Sequence, residues 1–290
     1  MKTELLALVS PGDGPCPDGC RRVAGPGYDA VLEPAASAMR KLGRRRMLTR
    51  ARDRALRMEA LLPAGGVILP ALPGQAVAAK DVDGLVRANR PDLDALAARA
   101  RGCVQFQVSV TWDEALARAR FGDLDAARHR LSAAAEAPLS AVAAEVLGLP
   151  VAADGLINRA VLVPRSSIPA LDDAVEAIDA LWTEGLRIRQ IGPMPPVSFC
   201  SLVVRRVPAR AVAAARLALG IDGHADPALI DAARRARLRA GAAPDVIRTT
   251  AGIAAAAARR GPPEGDLLLC DIWSEDRAET VRSRPPGEAA

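Results

Sequence analysis

The feature that most constrains this chain is a strict two-residue alternation after Gly102, in which Val104, Phe106, Val108 and Val110 interleave with Gln105, Gln107, Ser109 and Thr111. A period of two is that of a β-strand with one apolar and one polar face, so the segment predicts an open antiparallel sheet with helices on one side. Before it, short apolar runs at 5–9 and 23–32 flank a turn-rich loop and read as strands. A helix follows at 44–62, with Met47, Leu48, Ala51, Ala55, Met58 and Leu62 as its apolar stripe and arginines filling the other face. A proline-bearing strand at 67–72 and a helical stretch at 79–101, interrupted at Pro91, complete the order β-β-α-β-α-β. That order predicts an α+β architecture with a ferredoxin-like N-terminal domain over residues 1–113.

Asp113 is placed to cap the next helix, and 114–148 reads as an alanine-rich helical pair. A strand at 158–163 is followed by a helix whose stripe is Leu171, Val175, Ile178 and Trp182. Strands at 186–191 and 199–204 then flank the turn Gly192-Pro193-Met194-Pro195-Pro196. Residues 114–207 thus read as a second α+β domain with a helical insertion. Past Pro208 the composition shifts to alanine and arginine, predicting a helical C-terminal extension over 208–273, with helices near 209–219, 227–240 and 245–260 and a closing strand at 267–272. The charged, proline-containing residues 274–290 read as a disordered tail.

Composition narrows the function. The 290 residues suffice for two domains, and no apolar run reaches the roughly 18 residues that a membrane span needs. The first ten residues lack the pattern of a signal peptide, so a cytoplasmic location is expected. The net charge of +5 is almost all arginine, the lysines being Lys2, Lys41 and Lys80; such a bias arises in an alanine-rich, GC-rich coding sequence without a functional demand. Aromatic residues are only 2%, too few to interleave with the cations as stacking platforms for single-stranded nucleic acid. A basic nucleic-acid-binding or regulatory protein, using the arginines of 44–57 or Arg234, Arg235, Arg237 and Arg239, is the alternative reading. Cys16 and Cys20 offer two thiolates, but tetrahedral zinc needs a second pair, and His129 and His224 lack ligand spacing. Asp172 and Asp173 open a helix, where its dipole explains them without catalysis. No phosphate loop, nucleophile elbow or histidine cluster is present, so neither an enzyme, a metal nor a cofactor is expected.

Three stretches, in this order, resemble one family, the gas vesicle proteins called GvpL/GvpF. The run from Glu184 through Gly185-Leu186-Arg187-Ile188-Arg189-Gln190-Ile191-Gly192-Pro193-Met194-Pro195-Pro196-Val197-Ser198-Phe199 is similar to the family's Gly-Leu-Arg and Gly-Pro-Trp-Pro-Pro-Tyr-Ser-Phe signature, departing from it at Met194 and Val197. Val67-Ile68-Leu69-Pro70 looks like a second family strand, although this chain continues it with Ala71-Leu72-Pro73-Gly74-Gln75. Val104 to Val110, followed by Trp112, looks like a third. The resemblance covers roughly residues 1–207. It implies a non-enzymatic accessory protein of gas vesicle assembly, cytoplasmic and vesicle-associated, whose partners are the small hydrophobic shell protein GvpA or other vesicle accessory proteins. More faintly, Leu217 to Ile221, the basic helix that follows and Ala243-Pro244-Asp245 resemble a degenerate J-domain. Ala243 stands where the histidine of its His-Pro-Asp loop would be, so stimulation of a chaperone ATPase is not implied.

The residues of the turn have a plain physical meaning as well. Gly192 permits a tight turn, Pro193, Pro195 and Pro196 fix a rigid extended corner, and Phe199 restarts the strand on a buried face. The candidate interaction residues are therefore Gly192, Pro193, Met194, Pro195, Pro196 and Phe199, together with Arg44, Arg45 and Arg46 at the head of the basic helix.

Overall fold

The computed structural model describes residues 2–12, 14–35, 43–221, 225–261 and 265–273. In chain order the strands are β1 (Thr3–Val9), β2 (Arg21–Val23), β3 (Asp29–Pro34), β4 (Ile68–Pro70), β5 (Cys103–Trp112), β6 (Glu145–Gly148), β7 (Gly155–Pro164), β8 (Leu186–Met194), β9 (Ser201–Val207) and β10 (Leu267–Trp273). The helices are α1 (Arg44–Glu59), α2 (Val82–Ala100), α3 (Glu114–Arg120), α4 (Leu124–Val142), α5 (Ile168–Asp179), the single turn α6 (Val197–Cys200), α7 (Ala209–Leu219), α8 (Pro227–Arg239) and α9 (Pro244–Arg260). The fold is mixed α+β, as the sequence predicts. The chain forms two compact units, one from residues up to 57, 71–99 and 202–272, the other from 58–70 and 100–201.

In the first unit β2, β3 and β1 lie side by side and antiparallel. Leu5, Leu6, Ala7 and Leu8 are all fully buried, which is the pattern of a strand covered on both faces. Helix α2 runs through Pro91 without the expected break. The lost backbone donor is tolerated because Leu85, Val86, Leu93 and Leu96 anchor the helix on either side. The helices past Pro208 fall where their periodicity places them, yet they are not a separate extension. Ala88 of α2 shares one apolar cluster with Val207, Val212, Ala256, Ala257 and Leu267, small side chains that let helices approach closely. Asn89, buried in α2, donates to the Leu268 carbonyl at 2.9 Å and accepts the Cys270 N–H at 2.8 Å, tying the closing strand to the same core.

The second unit is a four-stranded antiparallel sheet in the order β6-β7-β5-β8. Helices α4 and α5 cover one face, where Val104, Phe106, Val108, Val110 and Trp112 of β5 meet Leu139, Leu171, Ile178 and Trp182. Two expectations change here. The strand after Gly102 belongs to this sheet rather than closing an N-terminal one, so the division expected at 113 falls near residue 100 and a ferredoxin-like domain over 1–113 is not what forms. The pattern of β5 specified a face to be covered, and the helices that match it lie after it in the chain. Residues 145–148, expected at the end of a helical pair, instead pair with β7 as an edge strand. Asp113 caps α3 as predicted, its carboxylate accepting the N–H groups of Ala115 and Leu116 at 3.0 and 3.1 Å.

Candidate interaction site

The proline corner is built on β5. Strand β8 continues through Gly192 and Pro193 to Met194, so the turn begins later than its composition suggests. Gln107 pairs with Ile191 and Gln105 with Met194, which leaves Gly192 and Pro193 together opposite Phe106 as a bulge. Gly192 has φ +143°, and a Cβ there would lie 2.6 Å from Phe106 Cδ1 and 2.9 Å from the Gln105 carbonyl oxygen. Only glycine meets both demands. Gly192 and Pro193 are exposed, Met194 is half-buried, and Pro195 and Pro196 are buried. Phe199 is 1% exposed among Leu147, Ala160 and Leu162, but it sits on the turn α6, and the strand resumes only at Ser201. The carbonyls of Pro195 and Pro196 accept N–H groups from Val197, Phe199 and Cys200, which curls the chain before it can extend.

The residue that holds the corner in place is Gln105, which the alternation assigns to the polar face. It is buried all the same. Its Oε1 accepts the Ser198 N–H at 2.9 Å, while its Nε2 donates to Ser198 Oγ at 3.0 Å. Nothing in the local pattern separates it from Gln107, which is half-buried and bonds Asn158. The difference lies in α6 folding back over one end of the sheet.

Strand β8 is an edge, and its backbone phase follows from two hydrogen bonds at the end of β5. Trp112 N–H donates to the Asp154 carbonyl on the β7 side, and Asp113 N–H donates to the Gly185 carbonyl on the β8 side. By alternation, Thr111, Ser109 and Gln107 address β8, opposite Arg187, Arg189 and Ile191. The N–H and C=O of Ile188 and Gln190 therefore point away from the sheet, and among the described residues no strand pairs with that edge.

Helix α1 departs further from expectation. Three of its arginines turn inward: Arg54 pairs with Glu33, Arg57 pairs with Glu33 at 3.0 Å, and Arg50 pairs with Glu4 at 2.9 Å. Arg54 also donates to the Ala71 carbonyl at 2.6 Å and the Leu5 carbonyl at 3.1 Å. Burial pushes its guanidinium down to about 10, against the opposing pull of Glu4. Most of the predicted apolar stripe lies outside instead, with Met47 50% and Leu48 62% exposed and Ala51 and Ala55 exposed as well, while Met58 at its end is buried; Leu56, beside the stripe, is 53% exposed. Arg44 opens the helix, and Arg45 and Arg46 are exposed beside these side chains. The second arginine cluster is partly neutralised, since Asp231 pairs with both Arg234 and Arg235.

Other candidates fare as follows. Cys16 is exposed and Cys20 half-buried, both free thiols, and among the described residues no group of three potential ligands is close enough to hold a metal ion. His129 is exposed on α4, and His224 and 274–290 lie outside the described residues. Asp172 accepts a hydrogen bond from Gln190 at 3.2 Å. In the first unit a cleft of about 490 Å³ is lined by Lys80, Asp81, Arg206, Arg260 and Asp266, but Arg206 pairs with Asp266 and Asp81. Ala243-Pro244-Asp245 opens α9. No described helix is long and apolar enough to cross a membrane.

Residues 115–201, which include all of β8 and the corner, match the family model described as Gas vesicle synthesis protein GvpL/GvpF. The chain is similar to the crystal structure of gas vesicle protein GvpF from Anabaena sp. PCC7120, with TM-score 0.55 and 20% identity, covering 68% of this chain and 94% of that one. It is similar also to the crystal structure of GvpF from Microcystis aeruginosa, with TM-score 0.54 and 19% identity, covering 69% and 98%. At these identities the structural likeness is one of fold. No curated protein matches the chain significantly.

Proposed function

From the assignment of residues 115–201 to the GvpL/GvpF family, we propose that this protein is a cytoplasmic, vesicle-associated accessory factor of gas vesicle assembly that works by binding rather than catalysis. Its partners are the small hydrophobic shell protein GvpA or other accessory proteins of the vesicle. The observation that carries this reading is that the matched segment contains both the exposed strand β8 and the rigid corner at its end. A hydrophobic shell subunit must be kept from aggregating before it polymerises, and a sheet with an unpaired edge beside a fixed corner supplies a docking surface that needs little reorganisation on binding. The exposed head of α1, with Arg45, Arg46 and Leu48, offers a second contact region. The nucleic-acid alternative loses support because Arg50, Arg54, Arg57, Arg234 and Arg235 are engaged with carboxylates. Co-expression of the tagged chain with the shell protein and with each accessory protein tests the proposal. Co-purification of at least one vesicle component is expected; association with none of them overturns it.

A further inference from the structure

The outward edge of β8 has a specific chemistry. We infer that it accepts an extended segment of a partner protein as an added strand, with acidic side chains at alternate positions of that segment. This rests on the binding role proposed above and goes further by naming the edge and the kind of segment it takes.

Two independent features point there. The first is backbone: Ile188 and Gln190 present their N–H and C=O groups outward, two residues apart, the spacing at which an antiparallel neighbour forms its ladder bonds. The second is charge: Arg187 and Arg189 are both exposed and, two residues apart, project to the same face of the sheet. That face is the one away from α4 and α5. Gln107, Ser109, Thr111 and Asn158 line it beside them, so these six side chains carry two positive charges and no negative one. On the opposite face Ile188 packs against the apolar core, which suits an apolar residue on the incoming strand.

The charge pattern also selects the occupant. A second copy of the chain, paired antiparallel across this edge, would bring Arg187 and Arg189 against their own counterparts, and like charges across a ladder are unfavourable. A strand with glutamate or aspartate at every second position turns the same repulsion into cross-strand pairing. The bulge at Gly192 and Pro193 ends the regular edge and sets where such a segment stops.

The test uses the full-length chain and a fluorescent nine-residue peptide of alternating glutamate and valine, with a peptide of lysine and valine as its counterpart. Fluorescence anisotropy is expected to show saturable binding of the acidic peptide only, and hydrogen exchange is expected to slow at the Ile188 and Gln190 amides. Arg187→Glu with Arg189→Glu should weaken binding at least tenfold. Gln190→Pro should do the same with both arginines intact, because it removes an outward N–H and leaves the bonds to β5 in place. Equal binding of the lysine peptide, or unchanged exchange at both amides in the wild-type protein, would overturn the inference whatever the variants do. Co-purification of a vesicle protein that survives Gln190→Pro would remove strand addition while leaving the assembly role standing. Peptide binding at this edge without co-purification of any vesicle protein would support the edge and remove the assembly role.

Discussion

Gln105 and Gly192 make the corner a fixed object rather than a loose loop. Replacing Gln105 with Ala strands the buried Ser198 N–H, and an orphaned buried donor costs about 1–3 kcal/mol; urea unfolding should show a loss in that range, and an unchanged midpoint would show that the bond contributes nothing. Gly192→Ala forces a Cβ against Phe106 and the Gln105 carbonyl at an unfavourable φ, so a loss of about 1–3 kcal/mol or more is expected in the same measurement. The cysteines give a separate check. Burial pushes the Cys270 thiol up to about 12 and raises those of Cys103 and Cys20, while Cys16 is exposed. Because the thiolate is the reacting form, an alkylating reagent at pH 8 should label Cys16 first and leave Cys270 untouched until the chain is denatured.

At the scale of elements, α1 shows how a correct helix assignment can carry the wrong face. Its spacing gives two stripes, and hydrophobicity alone chooses the one with Met47, Leu48 and Ala51 as the buried side. The choice fails because Glu4 and Glu33 stand on neighbouring strands and are themselves buried, so the arginines must meet them. Carboxylates distant in sequence leave no mark on the helix's own pattern. Arg54→Ala should therefore cost about 3 kcal/mol by uncovering a buried carboxylate. Leu48→Ser and Leu56→Ser, at exposed positions, should each stay within about 0.5 kcal/mol of wild type. Thermal melts of the three variants decide between the two faces. The alternation in β5, by contrast, was legible in full except at Gln105, since its period depends only on which face helices cover. The cap at Asp113 and the three C-terminal helices were equally plain, because caps and helical stripes are local signals.

At the scale of the whole molecule, the sequence order of elements misled even where the elements themselves were rightly placed. Each of the two units is assembled from separated stretches, and a reading from one end to the other places boundaries where composition shifts. Val207, Val212 and Leu267 join Ala88 in one core across more than a hundred residues of intervening chain, a pairing that no local pattern announces. The candidate site was legible as a motif, from Gly192 to Phe199, and its likeness to a gas vesicle family agrees with the match over residues 115–201. Hidden from the sequence were the edge status of β8, which depends on sheet order, and the burial of Pro195 and Pro196. The central claim is that this chain takes part in building gas vesicles. The most direct measurement is pressure-sensitive turbidity of vesicle-forming cells with this gene deleted and then restored: the account predicts that collapsible light scattering is lost on deletion and returns with the wild-type chain, and full scattering in the deletion strain would contradict it.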